Sequence, residues 1–200
     1  MKRLCLIIGL FLLALIWAGP LLSVWRESFT AHMIAHMGVV AIAAPLIAIG
    51  VSDRTPAAKP ALPVIASLVE FIVVWGWHAP ATRLWAETST LATVIEQAMF
   101  LGAGLFLWLT SIAPAATAAG AFALLLTSIH MTLLGALLSL ASRPLYGGGD
   151  VTCFDLVLGA GQDQALGGVV MLMIGAAVYL AGGIFLLSRL LSGKTVGLAD

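Results

Sequence analysis

The stretch SFTAHMIAHMGVVAIAAPLIAIG, residues 28–50, decides the class of this protein. It is long and apolar enough to cross a bilayer, yet His32 and His36 lie near its start, each followed by a methionine. Residues four apart share one face of a helix, so both imidazoles point the same way. Polar rings inside a membrane helix are costly and are typical of functional sites. Imidazole beside thioether is ligand chemistry for a soft or borderline metal, copper above all.

Composition gives the same class for the whole chain. Of 200 residues, 62% are hydrophobic and 9% are charged, and the mean hydropathy is +1.11. Soluble domains carry about 25% charged residues, so the chain is predicted to be an integral membrane protein in a lipid bilayer. Its net charge is zero, and it has no basic patch that would bind nucleic acid. Cys5 and Cys153 are too few for a disulfide framework, and their expected locations differ.

The breaks between apolar runs predict an all-α bundle of about six transmembrane helices, forming one domain over residues 1–200. Only helices or closed barrels satisfy the backbone in lipid. The first run is read as a retained helix, because it exceeds the 7–15 residues or so of a signal-peptide core. The longest loop, 141–164, is the expected docking element for a partner. The predicted spans are Leu4–Leu22, Ala31–Val51, Leu62–Trp77, Leu91–Ile112, Ala119–Leu140 and Ala165–Leu187.

Basic residues in the short loops predict the orientation. With both termini in the cytoplasm, the inner side carries six of them, Lys2, Arg3, Arg54, Lys59, Arg189 and Lys194, and the outer side carries Arg26, Arg83 and Arg143. The positive-inside rule favours this arrangement. It collects most of the polar groups of the spans at the outer end, namely His32, His36, His78, Glu96, Gln97, Asp163 and Gln164. The fourth histidine, His130, lies deep within the fifth span.

These positions predict a metal site with four candidate ligands, His32, His36, His78 and His130. Further ligands or supporting groups would be Met33, Met37, Met131, Glu70, Glu96, Gln97, Asp163 and Gln164. Each has a structural alternative. A histidine at a helix end is often interfacial, methionine is ordinary packing material, and a Glu70–His130 hydrogen bond would satisfy both side chains without a metal. Pro45 should kink the second span, with neighbours absorbing the freed carbonyl.

Several motifs in order resemble the CtaG-like cytochrome c oxidase assembly factors of bacteria. They are HMIAHM with AAPLIAIG, WGWHAP, EQAMFLGAGLFLW, HMTLLGALLSLASRPLY and DQALGGVVMLMIG. The resemblance covers about residues 28–187 and maps family motifs onto His32, His36, His78, Asp163 and Gln164. One departure is Gln97, where many relatives have a histidine, which puts a fourth-helix ligand in doubt or passes its role to Glu96.

The resemblance implies a multi-pass protein of the bacterial inner membrane that helps to mature a haem–copper oxidase through copper supply. The implied partners are cytochrome c oxidase subunits and a periplasmic copper carrier. The sequence shows no catalytic arrangement, so an enzyme is not predicted.

Three other hypotheses remain open at this point. The histidines could ligate a b-type haem, which His130 at depth would suit. They could form the ladder of a copper permease, although the inner half is nearly devoid of polar groups. The protein could also be a metal-free membrane chaperone whose histidines are hydrogen-bonded packing.

Overall fold

Long apolar helices make up most of the computed structural model, which describes residues 1–54 and 59–195. Five of the described helical segments are long and apolar enough to cross a membrane, and the sixth candidate is a bent pair of helices. The predicted helical membrane bundle is confirmed. The α-helices are α1 Lys2–Ala18, α2 Phe29–Met37, α3 Ala44–Val51, α4 Leu62–Trp77, α5 Pro80–Thr88, α6 Thr90–Ser111, α7 Thr117–Ser139 and α8 Ala160–Thr195.

The third predicted span differs from expectation because a second helix follows it. Helix α4 meets α5 at an angle of 71°, whereas the apolar runs of the sequence predict no helix between Trp77 and Leu91. Pro80 occupies the first position of α5, where its missing N–H costs no hydrogen bond. Helix α5 buries Arg83 and Ala86, so its inner face packs on the bundle while Leu84 and Trp85 remain exposed.

A β-hairpin occupies part of the predicted loop 141–164. Strands β1 Asp150–Cys153 and β2 Leu156–Gly159 pair antiparallel. Phe154 and Asp155 form the two-residue turn, with φ of 49° and 62°, as a turn matched to the right-handed twist of the strands requires. Helix α8 then begins at Ala160, before the predicted start, and places Asp163 in its first turn.

The second span contains one turn of π-helix, Gly38–Ala43, between α2 and α3. In this register the carbonyl of Val40 would accept from residue 45, which is proline and has no N–H. The indole of Trp108 donates to that carbonyl at 3.2 Å, and the hydroxyl of Tyr179 lies 3.3 Å from it. The expectation that neighbours absorb a carbonyl freed by Pro45 is therefore confirmed.

Helices α7 and α8 come into close contact at paired glycines. A Cβ added to Gly168 would lie 2.7 Å from the carbonyl oxygen of Gly135 and from the amide of Ser139. Small residues let helices approach closely in lipid, where packing drives association. This contact fixes the position of α8 along α7.

The helices alternate in direction, so the bundle has two distinct ends. At the end that we call the histidine end, α2, α6 and α8 begin and α4 finishes, which places His78 beside His32 and His36. At the opposite end, Lys2 of α1 is hydrogen-bonded to Asp53. Lys2 and Arg189 of α8 line a common groove there.

Candidate functional site

Three of the four histidines form a cluster at the histidine end. The ring centroids of His36 and His78 are 5.3 Å apart, those of His32 and His78 are 6.1 Å apart, and those of His32 and His36 are 6.5 Å apart. All three side chains are buried. Phe100 of α6 packs against the cluster, with its ring centroid 4.0 Å from that of His36. The structure therefore brings together the three histidines predicted to lie at one end.

Most nitrogen atoms of this cluster lack a hydrogen-bond partner. Both nitrogens of His36 are buried and unpaired, as is Nε2 of His78. The other ring nitrogen of His78, Nδ1, lies 2.6 Å from the carbonyl of Val74 and therefore donates to it. Nε2 of neutral His78 is then left with its lone pair. Buried polar groups are seldom left unpaired, so this cluster is suited to an electron-pair acceptor such as a metal ion.

His32 is held in a different way. A guanidinium nitrogen of Arg83 lies 2.9 Å from its Nδ1, and because arginine keeps its protons, Nδ1 must be the acceptor. The proton of neutral His32 is then on Nε2, which faces Glu96 at 3.6 Å. His32 has no free lone pair in this state, whereas His36 and His78 do.

Distances between the rings show which histidines could share an ion. A nitrogen ligand about 2.0–2.1 Å from a metal puts the ring centroid about 3.2 Å from it, so two ligating rings lie at most about 6.4 Å apart. His36 and His78 satisfy this limit well, and His32 and His36 exceed it slightly. Among the described residues, no three His, Cys, Asp or Glu side chains are placed as a metal-binding group. The separation of the His36 and His78 rings therefore permits a shared ion with two imidazole ligands.

Asp163 and Gln164, both predicted as supporting groups, form structural hydrogen bonds. The carboxylate of Asp163 accepts from the Ser28 hydroxyl at 2.9 Å and from the Phe29 amide at 2.5 Å, which fixes the start of α2. The side chain of Gln164 accepts from the amide of Leu145 at 2.6 Å and donates to the carbonyl of Leu138 at 3.0 Å. These contacts position the histidine-bearing helix and the loop beside it.

The three methionines predicted as secondary ligands pack against α8. Met33 lies beside Gly167, and both Met37 and Met131 lie beside Gly175. Each is fully buried, as expected of methionine that fills the space above a glycine.

His130 does not join the cluster. Its ring lies 5.3 Å from that of Phe71 on α4, and neither of its nitrogens has a partner. Glu70 accepts a hydrogen bond from the Tyr179 hydroxyl at 2.8 Å, and the suggested Glu70–His130 hydrogen bond does not form. Gln97 accepts from the indole of Trp17 at 3.3 Å. The polar groups of the bundle thus occur in separate sites.

Sequence reasoning missed the side chains that enclose the cluster. Arg83 was counted only as an outer basic residue, although it is 3% exposed and contacts His32. Phe29 stacks on Tyr146 with ring centroids 4.5 Å apart, next to the cluster. The sequence did contain a signal for this helix. Arg83 precedes Glu87 by four residues, the spacing of an ion pair on one helix face, in a short segment that begins with Pro80.

Comparison with protein families gives one match. The model of the family described as cytochrome c oxidase caa3 assembly factor (Caa3_CtaG) matches residues 1–192. No curated protein and no solved structure matches the chain.

Proposed function

Because the chain belongs to the family of cytochrome c oxidase caa3 assembly factors, we propose that it supplies copper to a haem–copper oxidase from the histidine cluster. The family accounts for an oxidase partner, and the copper cargo is our inference. We place the protein in the bacterial inner membrane, with a periplasmic copper carrier as the donor. In this proposal its role is transfer without a catalytic step.

One observation carries the proposal: two buried imidazoles, His36 of α2 and His78 at the end of α4, each have a nitrogen with a lone pair and no hydrogen-bond partner. Neutral nitrogen ligands in a buried site favour a monovalent ion, because burying a single charge costs less than burying two. His32 lies next to both rings, and we assign it to orienting the site, because Arg83 occupies its Nδ1 lone pair.

The space beside His32 is too small for haem. The void lined by His32, Arg83 and Glu96 is about 10 Å³, which is about the space of one water molecule. His130, the residue that suited haem at the sequence level, lies apart from the other histidines.

The test is metal content together with a visible spectrum. Protein purified in detergent and loaded with copper(I) should retain about one copper ion per chain and show no Soret band. The double variant His36→Ala/His78→Ala should lose the copper while still inserting in the membrane. His130→Ala is the matched control and should retain it.

Two results would contradict the proposal. Equal copper content in the wild type and the double variant would exclude His36 and His78 as ligands. A Soret band in the wild type that the double variant lacks would identify haem as the bound group.

A further inference from the structure

A cavity of about 320 Å³ lies beside the histidine cluster at the histidine end of the bundle. We call it the acidic cavity because four carboxylates are among its lining residues, Glu27, Glu87, Asp150 and Asp163. Glu87 is paired with Arg83 at 3.0 Å, and Asp163 accepts hydrogen bonds from the start of α2. The lining as a whole is favourable to a cation.

Two stacked aromatic rings stand between the acidic cavity and the histidines. Phe29 and Tyr146 both line the cavity, and their ring planes differ by 15°. On its other side, Phe29 lies 6.2 Å from His32 and 6.2 Å from His78, measured between ring centroids. The hydroxyl of Tyr146 donates to the carbonyl of His78 at 2.7 Å. An ion moving from the cavity to the cluster would have to pass these rings.

The other approach to the cluster is unfavourable to cations. The void beside His32 is lined by two arginines, Arg26 and Arg83, and by Glu96. A cation there would meet guanidinium groups at short range, and buried charges repel strongly because screening is weak. The acidic cavity is lined by carboxylates, whereas the void beside His32 is lined by two arginines. We therefore take the acidic cavity as the route by which a cation reaches the histidines.

The two rings differ in how firmly they are held. Phe29 is fixed at the start of α2 by the hydrogen bond that its backbone N–H donates to the Asp163 carboxylate, and its ring fills the space above Gly167. Tyr146 precedes three glycines, residues 147–149, of which Gly147 has φ +63° and none would contact a neighbour through an added Cβ. Such a segment has more conformational freedom than the helix start that holds Phe29, so separating the two rings requires less of the chain to move at Tyr146.

We propose that the Phe29–Tyr146 pair is a gate through which a monovalent cation passes between the acidic cavity and the histidine cluster. Opening breaks the hydrogen bond from Tyr146 to the His78 carbonyl and separates the stacked rings. The gate rests on the proposed function for its cargo, but its existence can be measured without any metal.

The experiment measures how fast diethyl pyrocarbonate modifies His36 and His78 in metal-free protein, read residue by residue by mass spectrometry. Tyr146→Phe loses one hydrogen bond and should speed modification about fivefold. Tyr146→Ala also loses the stacked ring and should speed it at least about tenfold. Phe154→Ala is the matched control, because Phe154 lies in the neighbouring hairpin and packs on Trp25 at 4.4 Å.

An internal reference separates gating from unfolding. His130 lies away from the cavity, so its modification rate should stay at the wild-type value in every variant. Unchanged rates at His36 and His78 in both Tyr146 variants would overturn the gate, as would an equal rise at His130.

A parallel measurement of copper(I) release to a chelator tests the cargo. Wild-type protein that holds no copper would refute the proposed function while leaving the labelling result intact.

Discussion

Arg83 is the residue on which the geometry of the site most depends. It is 3% exposed and bonds to Nδ1 of His32, to the carbonyl of Arg26 at 3.3 Å and, as an ion pair, to Glu87. A buried guanidinium needs several such partners to offset its desolvation. Through these contacts it joins α5 to α2 and sets the tautomer of His32.

Replacing Arg83 should therefore destabilise the whole histidine end. We expect Arg83→Gln to lower the free energy of unfolding by about 3–5 kcal/mol, because it leaves buried partners uncompensated. Arg143→Gln, at an exposed position in the loop at the same end, should change it by less than about 0.5 kcal/mol. Thermal unfolding in detergent, followed by circular dichroism, provides the measurement. Equal melting temperatures for the two variants would show that the contacts of Arg83 contribute nothing.

At the residue scale, the sequence predicted which residues lie near the site better than it predicted what each of them contacts. The spacing of His32 and His36, and the position of His78 at a span end, were enough to place three rings together. The tautomer of His32 depends on Arg83. Arg83 lies on α5, a helix that the hydrophobic pattern of the sequence does not predict. Asp163 and Gln164 were expected near the site, but their hydrogen bonds to backbone groups required the fold to be known.

At the scale of elements, hydropathy located the spans and missed their interruptions. Apolar runs predict where a helix crosses lipid, but a π-turn such as residues 38–43 has the same composition as the helix around it. Helix α5 is too polar and too short to register as a span. Only Pro45 and Pro80 marked these two places in advance, since proline removes one backbone donor at each.

The contact between α7 and α8 gives a prediction at the same scale. Gly168→Ala should lower the free energy of unfolding by about 1–3 kcal/mol, because its Cβ would meet backbone atoms of α7 that cannot move aside. Gly102→Ala is the matched control: Gly102 lies inside α6, and an added Cβ would contact nothing within 4 Å. That variant should be neutral, or more stable by up to about 1 kcal/mol from helix propensity. Denaturant titration in mixed micelles compares the two, and equal stability would show that α7 and α8 are not in close contact.

For the whole molecule, the decisive question is whether α4 crosses the membrane. Its 16 residues span about 24 Å at 1.5 Å per residue, which is less than the hydrocarbon thickness of about 30 Å. Helix α4 nevertheless runs the same way as α7, to which it is bonded through Ser67 and Thr127 at 2.9 Å, and it finishes beside the start of α2. A crossing α4 makes the number of spans among the described residues even, which agrees with the shared groove of Lys2 and Arg189 at one end of the bundle.

This topology predicts the side on which each loop can be labelled. Six of the nine basic residues lie at helix ends or between helices at the end of the bundle opposite the histidines, so the positive-inside rule predicts that this end faces the cytoplasm. In a variant whose Cys5 and Cys153 are replaced by serine, Thr88→Cys should react with an impermeant maleimide added outside intact cells. Lys59→Cys, equally exposed but at the opposite end, should react only after the membrane is opened. Labelling of both positions from outside would mean that α4 turns back without crossing, and the histidine cluster would then have no assigned side from which to deliver its ion.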